Sequence, residues 1–274
     1  MDYRVTALFR YPLKSGAGER CESFRLDRFG VQGDRRWMVT SPCGAPITQR
    51  EVPEMALIRA RIEQDGLTLA WKSWDLPTVR LPKPGPDATR LEVTIWGDAV
   101  NLPLADDKVT AWISDHLNRD ARVAYMPREV ERPVNPRYAG TDDRTALTDG
   151  YPLHLIGSGS MDDLNSRLAE PVGIERFRPN IFVECSEGFA EDTWERLRIG
   201  DCGFRVVRPC PRCSVTTVDP ETGHQGKEPL RTLARYRKRE GGVMFGQNLV
   251  HDGCGEIRVG DRVEVISRRD TPAA

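Results

Sequence analysis

The chain has no excess of either charge: 40 Lys and Arg stand against 41 Asp and Glu in 274 residues, for a formal net charge of −1. No global basic field recruits nucleic acid or an anionic membrane, so any anion site must be local. There is no apolar run near the length of a membrane-spanning helix. The start, Met1-Asp2-Tyr3-Arg4-Val5, lacks the apolar core and small-residue cleavage site of a secretory signal and is not an Arg/Ser-rich transit peptide. The expectation is a cytoplasmic protein with no membrane and no nucleic-acid partner. Cysteine is sparse and odd in number, seven residues from Cys21 to Cys254, which is no disulfide framework and points to thiols in a reducing compartment. Histidine is scarcer still, with four. No Ser/His/Asp arrangement, Walker loop, Gly-rich dinucleotide fingerprint or His-Glu-x-x-His is legible, which removes nucleotide hydrolysis and zinc-peptidase chemistry. What remains is a soluble globular chain, long enough to bury a core in one large or two modest domains.

Its first hundred residues alternate apolar and polar positions in short bursts: Val5-Thr6-Ala7-Leu8-Phe9, Arg36-Trp37-Met38-Val39-Thr40, residues 56–62, Leu67-Thr68-Leu69-Ala70-Trp71 and residues 91–96. Period two means strands. Gln64-Asp65-Gly66 and Trp96-Gly97-Asp98 read as tight hairpins whose Gly residues take positive φ. Residues 106–117 switch to helical spacing through Val109, Trp112, Ile113, His116 and Leu117 behind an acidic first turn. Residues 127–152, with four Arg and four Pro, read as a long loop of the kind that forms lids, binding loops or domain connections. Strands are expected again at residues 153–156, 180–183, 196–199, 203–207, 214–218, 246–250 and 258–266. Ser160-Met161-Asp162-Asp163 reads as a capping box opening a helix over 162–168, and residues 229–238 as a short helix. The last residues, 267–274, are expected to fray. The fold class is mainly β with a few short helices (α+β).

The most pointed local feature is Arg208-Pro209-Cys210-Pro211-Arg212-Cys213, a Cys-x-x-Cys at a strand end flanked by arginines. Nearby cations favour the thiolate, the form that binds metal or attacks. Four readings stand. A thioredoxin-like pair needs a helix after the motif, whereas Ser-Val-Thr-Thr-Val favours a strand. A zinc site needs four ligands and would have to recruit Cys202, His251 and Cys254 singly. The pair can be two buried thiols packing as small hydrophobes. Or one thiolate binds a metal supplied by a cofactor, with Arg208 and Arg212 neutralising its anionic groups. Other clusters suit an anion: Tyr11-Pro12-Leu13-Lys14-Ser15-Gly16 after the first strand, Gly33-Asp34-Arg35-Arg36-Trp37, and Phe177-Arg178-Pro179-Asn180 before an apolar strand. Each also reads as an ordinary surface Lys or strand-entry turn. Adjacent strand residues face opposite ways, so one of Arg35 and Arg36 is expected to face solvent. His154, in an apolar strand, reads as a core residue.

Taken in order with Asp162-Asp163-Leu164-Asn165-Ser166-Arg167-Leu168, the run from Cys210 to Gly223 and Phe245-Gly246-Gln247, these motifs resemble the MOSC family, in the branch of the mitochondrial amidoxime-reducing components and their bacterial relatives. The resemblance implies an N-terminal β-barrel MOSC domain (residues 1–120), a MOSC domain (121–268) and a flexible tail (269–274), with a molybdenum cofactor of the Mo-molybdopterin type between the domains. It implies Cys213 as catalytic residue and molybdenum ligand, and Lys14, Ser15, Arg35, Arg178, Asn180 and Arg212 as cofactor-binding residues, with Asp149 and Asn248 as further candidates. Cations, hydroxyls and amides suit the acceptor oxygens and ring edges of a pyranopterin phosphate. The activity implied is reduction of a small N-hydroxylated substrate, an amidoxime, hydroxylamine or N-hydroxylated base. The chain carries no plant-type iron–sulfur Cys cluster and no N-terminal anchor like that of the mitochondrial members, so electrons are expected from a separate donor protein, ferredoxin-like, a flavoprotein reductase or cytochrome b5-like. The alternatives are a sulfur or molybdenum-cofactor carrier using Cys213, and a zinc-stapled adaptor using Cys210 and Cys213.

Overall fold

The computed structural model describes residues 2–269. Seven strands close into a barrel: β1 (Tyr3–Arg10), β2 (Leu153–Gly157), β3 (Ile181–Glu184), β4 (Trp194–Ile199), β5 (Cys202–Arg212), β6 (Gly242–Asp252) and β7 (Arg262–Arg268). Around the wall the order is β2-β3-β1-β7-β4-β5-β6, and β6 pairs back onto β2 to close it. Only β2 and β3 pair in parallel within this wall, and helix α2 (Ser158–Asn165) lies in the crossover that such a pair requires. Closure removes the sheet edges. The inward set, including Val5, Leu8, Leu155, Ile181, Leu197, Phe204 and Leu249, forms one buried core.

The first strand, from the segment assigned to the N-terminal domain, is built into this barrel, with Leu8 opposite Ile181 and Tyr3 opposite Val263. The chain then leaves for a second β unit. Strands Ile58–Glu63, Gly66–Trp71 and Thr78–Pro82 form a small sheet, Trp37–Thr40 pairs with Arg122–Tyr125, and helix α1 (Asp107–Leu117) covers their apolar side with Val109 and Ile113. Asp106 caps α1 by accepting from the Val109 amide at 3.0 Å. A third core joins the hairpin Arg90–Ile95/Asp98–Pro103 to Ala146 and Leu147.

Several expectations need correction. The Ser160 hydroxyl does not cap a helix starting at Asp162; it donates to Glu191 at 2.7 Å inside α2, whose N-cap is Gly157. Residues 214–217 form a 3-10 turn, not a strand, because the Cys213 carbonyl accepts from both the Thr216 amide and its hydroxyl. Gly66 does not have a positive φ; it is needed because a side chain there would collide with the Leu81 carbonyl of the neighbouring strand. The segment 127–152 has no regular strand or helix but is no loose lid: Val134, Ala146 and Leu147 are core, and Arg132 is buried, donating to the carbonyls of Ala146 and Thr148 at 3.0 and 2.6 Å. Ser267 and Arg268 belong to β7, and the Arg269 amide donates to Thr193. The rest of the expected tail, 270–274, lies outside the described residues.

Candidate cofactor site

Where β1 ends, residues 11–16 turn across the end of the barrel. The Tyr11 amide donates to Asp34 Oδ1 at 2.7 Å, the Lys14 amide to the Trp37 carbonyl at 2.7 Å, and Ser15 takes a left-handed φ of 63°. Arg35 is also left-handed, at φ 44°, which breaks the strand alternation expected for residues 35 and 36. Both arginines turn inward. Arg36 is buried with its Nε on the Met126 carbonyl at 2.9 Å and its guanidinium over Phe29, so it is not the solvent-facing member. Arg35 pairs with Asp34, and its Nη2 donates to the Arg178 carbonyl at 3.1 Å.

Arg178, left-handed at φ 54°, follows a 3-10 turn and returns to the first loop, donating from Nη1 to the Gly16 carbonyl at 2.6 Å. The Arg35 and Arg178 guanidinium carbons lie 4.3 and 4.2 Å from the Tyr11 ring centroid. Burial, reinforced by the neighbouring Arg35 charge, pushes the Arg178 pKa down to about 10. Burial raises the Tyr11 phenol. Asn180 locks this corner: its Nδ2 donates to the Phe9 carbonyl at 3.2 Å, while its Oδ1 accepts from the His154 amide and from Arg35.

Arg212 ends β5 and reaches the same corner. Its Nη1 lies 2.8 Å from Cys210 Sγ and 3.3 Å from His154 Nε2, and its Nη2 donates to the Phe177 carbonyl. Burial and then the Arg212 and Arg35 charges hold His154 neutral at physiological pH, and burial raises the Cys210 thiol. Cys213, partly exposed, is the first residue past β5. Beside it stands Arg50, which sequence reasoning missed. Its guanidinium binds Asp149 and interacts electrostatically with the Cys213 sulfur. Asp149 Oδ1 also accepts from the buried Lys14 Nζ at 2.6 Å. Desolvation opposes ionisation of Asp149, but Lys14 and Arg50 outweigh it and hold the carboxyl far below the usual range.

Lys14, Ser15, Arg35, Asp149, Arg178, Asn180, Arg212 and Cys213 thus converge on one end of the barrel. Asn248 lies on the barrel wall directly across from His154, with its amide on the Pro209 carbonyl at 3.5 Å. Three buried polar atoms at this end have no hydrogen-bond partner among the described residues: Tyr11 Oη, Arg178 Nη2 and Arg212 Nε. The described residues hold no cluster of three or more His, Cys, Asp or Glu able to bind a metal, so Cys202, His251 and Cys254 do not complete a zinc site with Cys210 and Cys213.

Two family models match in chain order: the MOSC N-terminal beta barrel domain over residues 2–120 and the MOSC domain over residues 142–264. A relative named mitochondrial amidoxime reducing component 2, from Rattus norvegicus, is 34% identical over 94% of this chain and 82% of its own length. The chain belongs to the MOSC family. Mitochondrial amidoxime-reducing component 1 of Danio rerio is 32% identical over 96% of this MOSC protein and 85% of its own length. The molybdenum cofactor sulfurase of Oryza sativa subsp. japonica is 31% identical over 97% of the chain but only 34% of its own length. These MOSC relatives support an oxidoreductase role at family level and an association of the fold with the molybdenum cofactor.

Proposed function

We propose that this MOSC protein is a molybdenum-cofactor-dependent reductase of N-hydroxylated compounds, such as amidoximes, hydroxylamines and N-hydroxylated bases, working in the cytoplasm with electrons from a separate redox protein. The observation that carries the reading is a partly exposed sulfur, Cys213, at the same barrel end as the three unpartnered polar atoms of Tyr11, Arg178 and Arg212. A buried donor left unpaired costs about 1–3 kcal/mol, so three together mark a surface shaped for a ligand rich in acceptor oxygens and ring nitrogens. A pyranopterin phosphate fits that donor set. Lys14, Ser15, Arg35 and Arg178 would hold its anionic end, Arg212 its ring, and Cys213 its metal. When bound, the group supplies two-electron redox chemistry at a metal able to accept an oxygen atom.

The chain's own residues position and bias that chemistry. Arg50 supplies a fixed positive charge beside the Cys213 sulfur and the reacting region. Asp149, held ionised by Lys14 and Arg50, serves as an acceptor for substrate N–H at the rim and not as an acid. His154, held neutral behind Arg212, adds no positive charge to the site at physiological pH. The test is reduction of benzamidoxime by protein from a cofactor-competent host, driven by reduced methyl viologen. Turnover that disappears when the host cannot make the cofactor is expected; no reduction by fully loaded protein would remove the reductase reading.

A second reading is favoured by the match of the rice sulfurase across 97% of the chain. Cys213 would then carry sulfur or cofactor in transit, marked by sulfane sulfur on Cys213 without substrate reduction.

A further inference from the structure

Trp96 is 71% exposed, one of three large hydrophobic side chains left in water among the described residues, with Leu76 and Ile266. It occupies the tip of the hairpin Arg90–Ile95/Asp98–Pro103, next to Gly97, and both tip residues have positive φ, 53° and 96°. Such a turn suits Asn, Asp or Gly, and a bulky aromatic there is strained. With so much of its surface in water, packing does little to offset that strain. What the position does achieve is proximity: the Arg50 guanidinium carbon lies 5.2 Å from the Trp96 ring centroid. That guanidinium is the one that binds Asp149 and interacts electrostatically with Cys213.

The mount is rigid. Two residues on, Asp98 accepts from Arg132 Nε at 2.8 Å, and Arg132 is fastened to the carbonyls of Ala146 and Thr148. The hairpin tip is therefore tied to the segment that presents Asp149, and the exposed indole stands against the guanidinium that pairs with that carboxylate. A flat π-surface beside a cation and a carboxylate matches a flat conjugated ligand bearing N–H donors.

We propose that Trp96 is a specificity-determining platform on which planar, conjugated N-hydroxylated substrates stack, with the N–O group directed past Arg50 toward Cys213. The substrate class rests on the reductase reading; the stacking surface does not.

Binding and turnover test it separately, with the cofactor-loaded full chain. Titration calorimetry with benzamidine, a flat amidine that needs no reduction, should show affinity about tenfold weaker in Trp96→Ala and largely kept in Trp96→Phe, the scale expected of aromatic stacking. The ratio of kcat/KM for benzamidoxime over N-methylhydroxylamine should fall by a similar factor in Trp96→Ala. The platform is overturned if both quantities stay within about twofold of wild type, a difference well under 1 kcal/mol. It is also overturned if both substrates lose activity equally, which would make the indole only a prop for Arg50, or if wild type does not bind benzamidine. If wild type reduces neither compound while Trp96→Ala still loses benzamidine, the platform stands and the reductase reading falls.

Discussion

Asp149 accepts from Lys14 Nζ at 2.6 Å, joining the loop after β1 to the last residues before β2. Lys14 is buried and Asp149 half exposed, so the carboxylate is the counter-ion that makes a desolvated ammonium tolerable. Burial lowers the Lys14 pKa even with that partner present.

Asp149→Asn should therefore destabilise the protein at pH 7 by about 1 kcal/mol, the scale left to a half-exposed pair after solvent screening. The sign with pH follows from the carboxyl's depressed pKa. Its contribution is present above the ordinary Asp value near 3.9 and is lost as pH falls toward the folded pKa. Thermal melts of wild type and variant should stay apart at neutral pH and converge in acid; a gap that widens below about pH 4 would contradict this.

Arg178 makes a different prediction. Its Nη2 is buried without a partner, and its charge sits beside that of Arg35. Inorganic phosphate should raise the melting temperature of cofactor-free wild type, because an anion that binds only the folded state stabilises it. Arg178→Met should remove most of that rise while melting no lower than wild type without phosphate, since one of two crowded, partly buried cations is gone. An undiminished phosphate response in the variant would place the anion elsewhere.

Glu191 has one oxygen bound by Ser160 and the Gly157 amide and the other, Oε2, buried without a partner. Burial raises its pKa. As pH rises past the ordinary Glu value near 4.3, the unfolded chain gives up this proton first, and wild-type stability declines until the folded pKa is passed. Glu191→Gln lacks that slope, so its melting temperature should match wild type near pH 4 and exceed it by about 2–4 °C near pH 7. An equal deficit at both pH values would show that Glu191 is needed ionised.

Much of the barrel was legible because strands such as Arg262-Val263-Glu264-Val265 alternate polar and apolar residues, and because α1 carries its own cap and apolar stripe. The pairing of β1 with β3 and β7 was not, since strand partners far apart in sequence leave no local mark. Local rules failed where tertiary contacts overrode them. The Ser160 hydroxyl prefers buried Glu191 to a cap, β-branched residues 215–217 wind around the Cys213 carbonyl, and the left-handed Arg35 turns Arg36 inward. At the site, Lys14, Arg35, Arg178, Arg212 and Cys213 were visible through their motifs. Arg50 was not, because Thr48-Gln49-Arg50-Glu51 is an aperiodic turn whose link to Cys213 exists only in three dimensions. Trp96 was legible only as a hairpin residue.

The most direct measurement is the molybdenum and pterin content of wild type, Cys213→Ser and Cys210→Ser, all purified from a cofactor-competent host, with zinc measured in parallel. Near-stoichiometric molybdenum and pterin in wild type, retained in Cys210→Ser and lost or altered in coordination in Cys213→Ser, is the predicted result. Molybdenum-free wild type loaded with zinc or persulfide, or unchanged molybdenum and coordination in Cys213→Ser, would contradict the account.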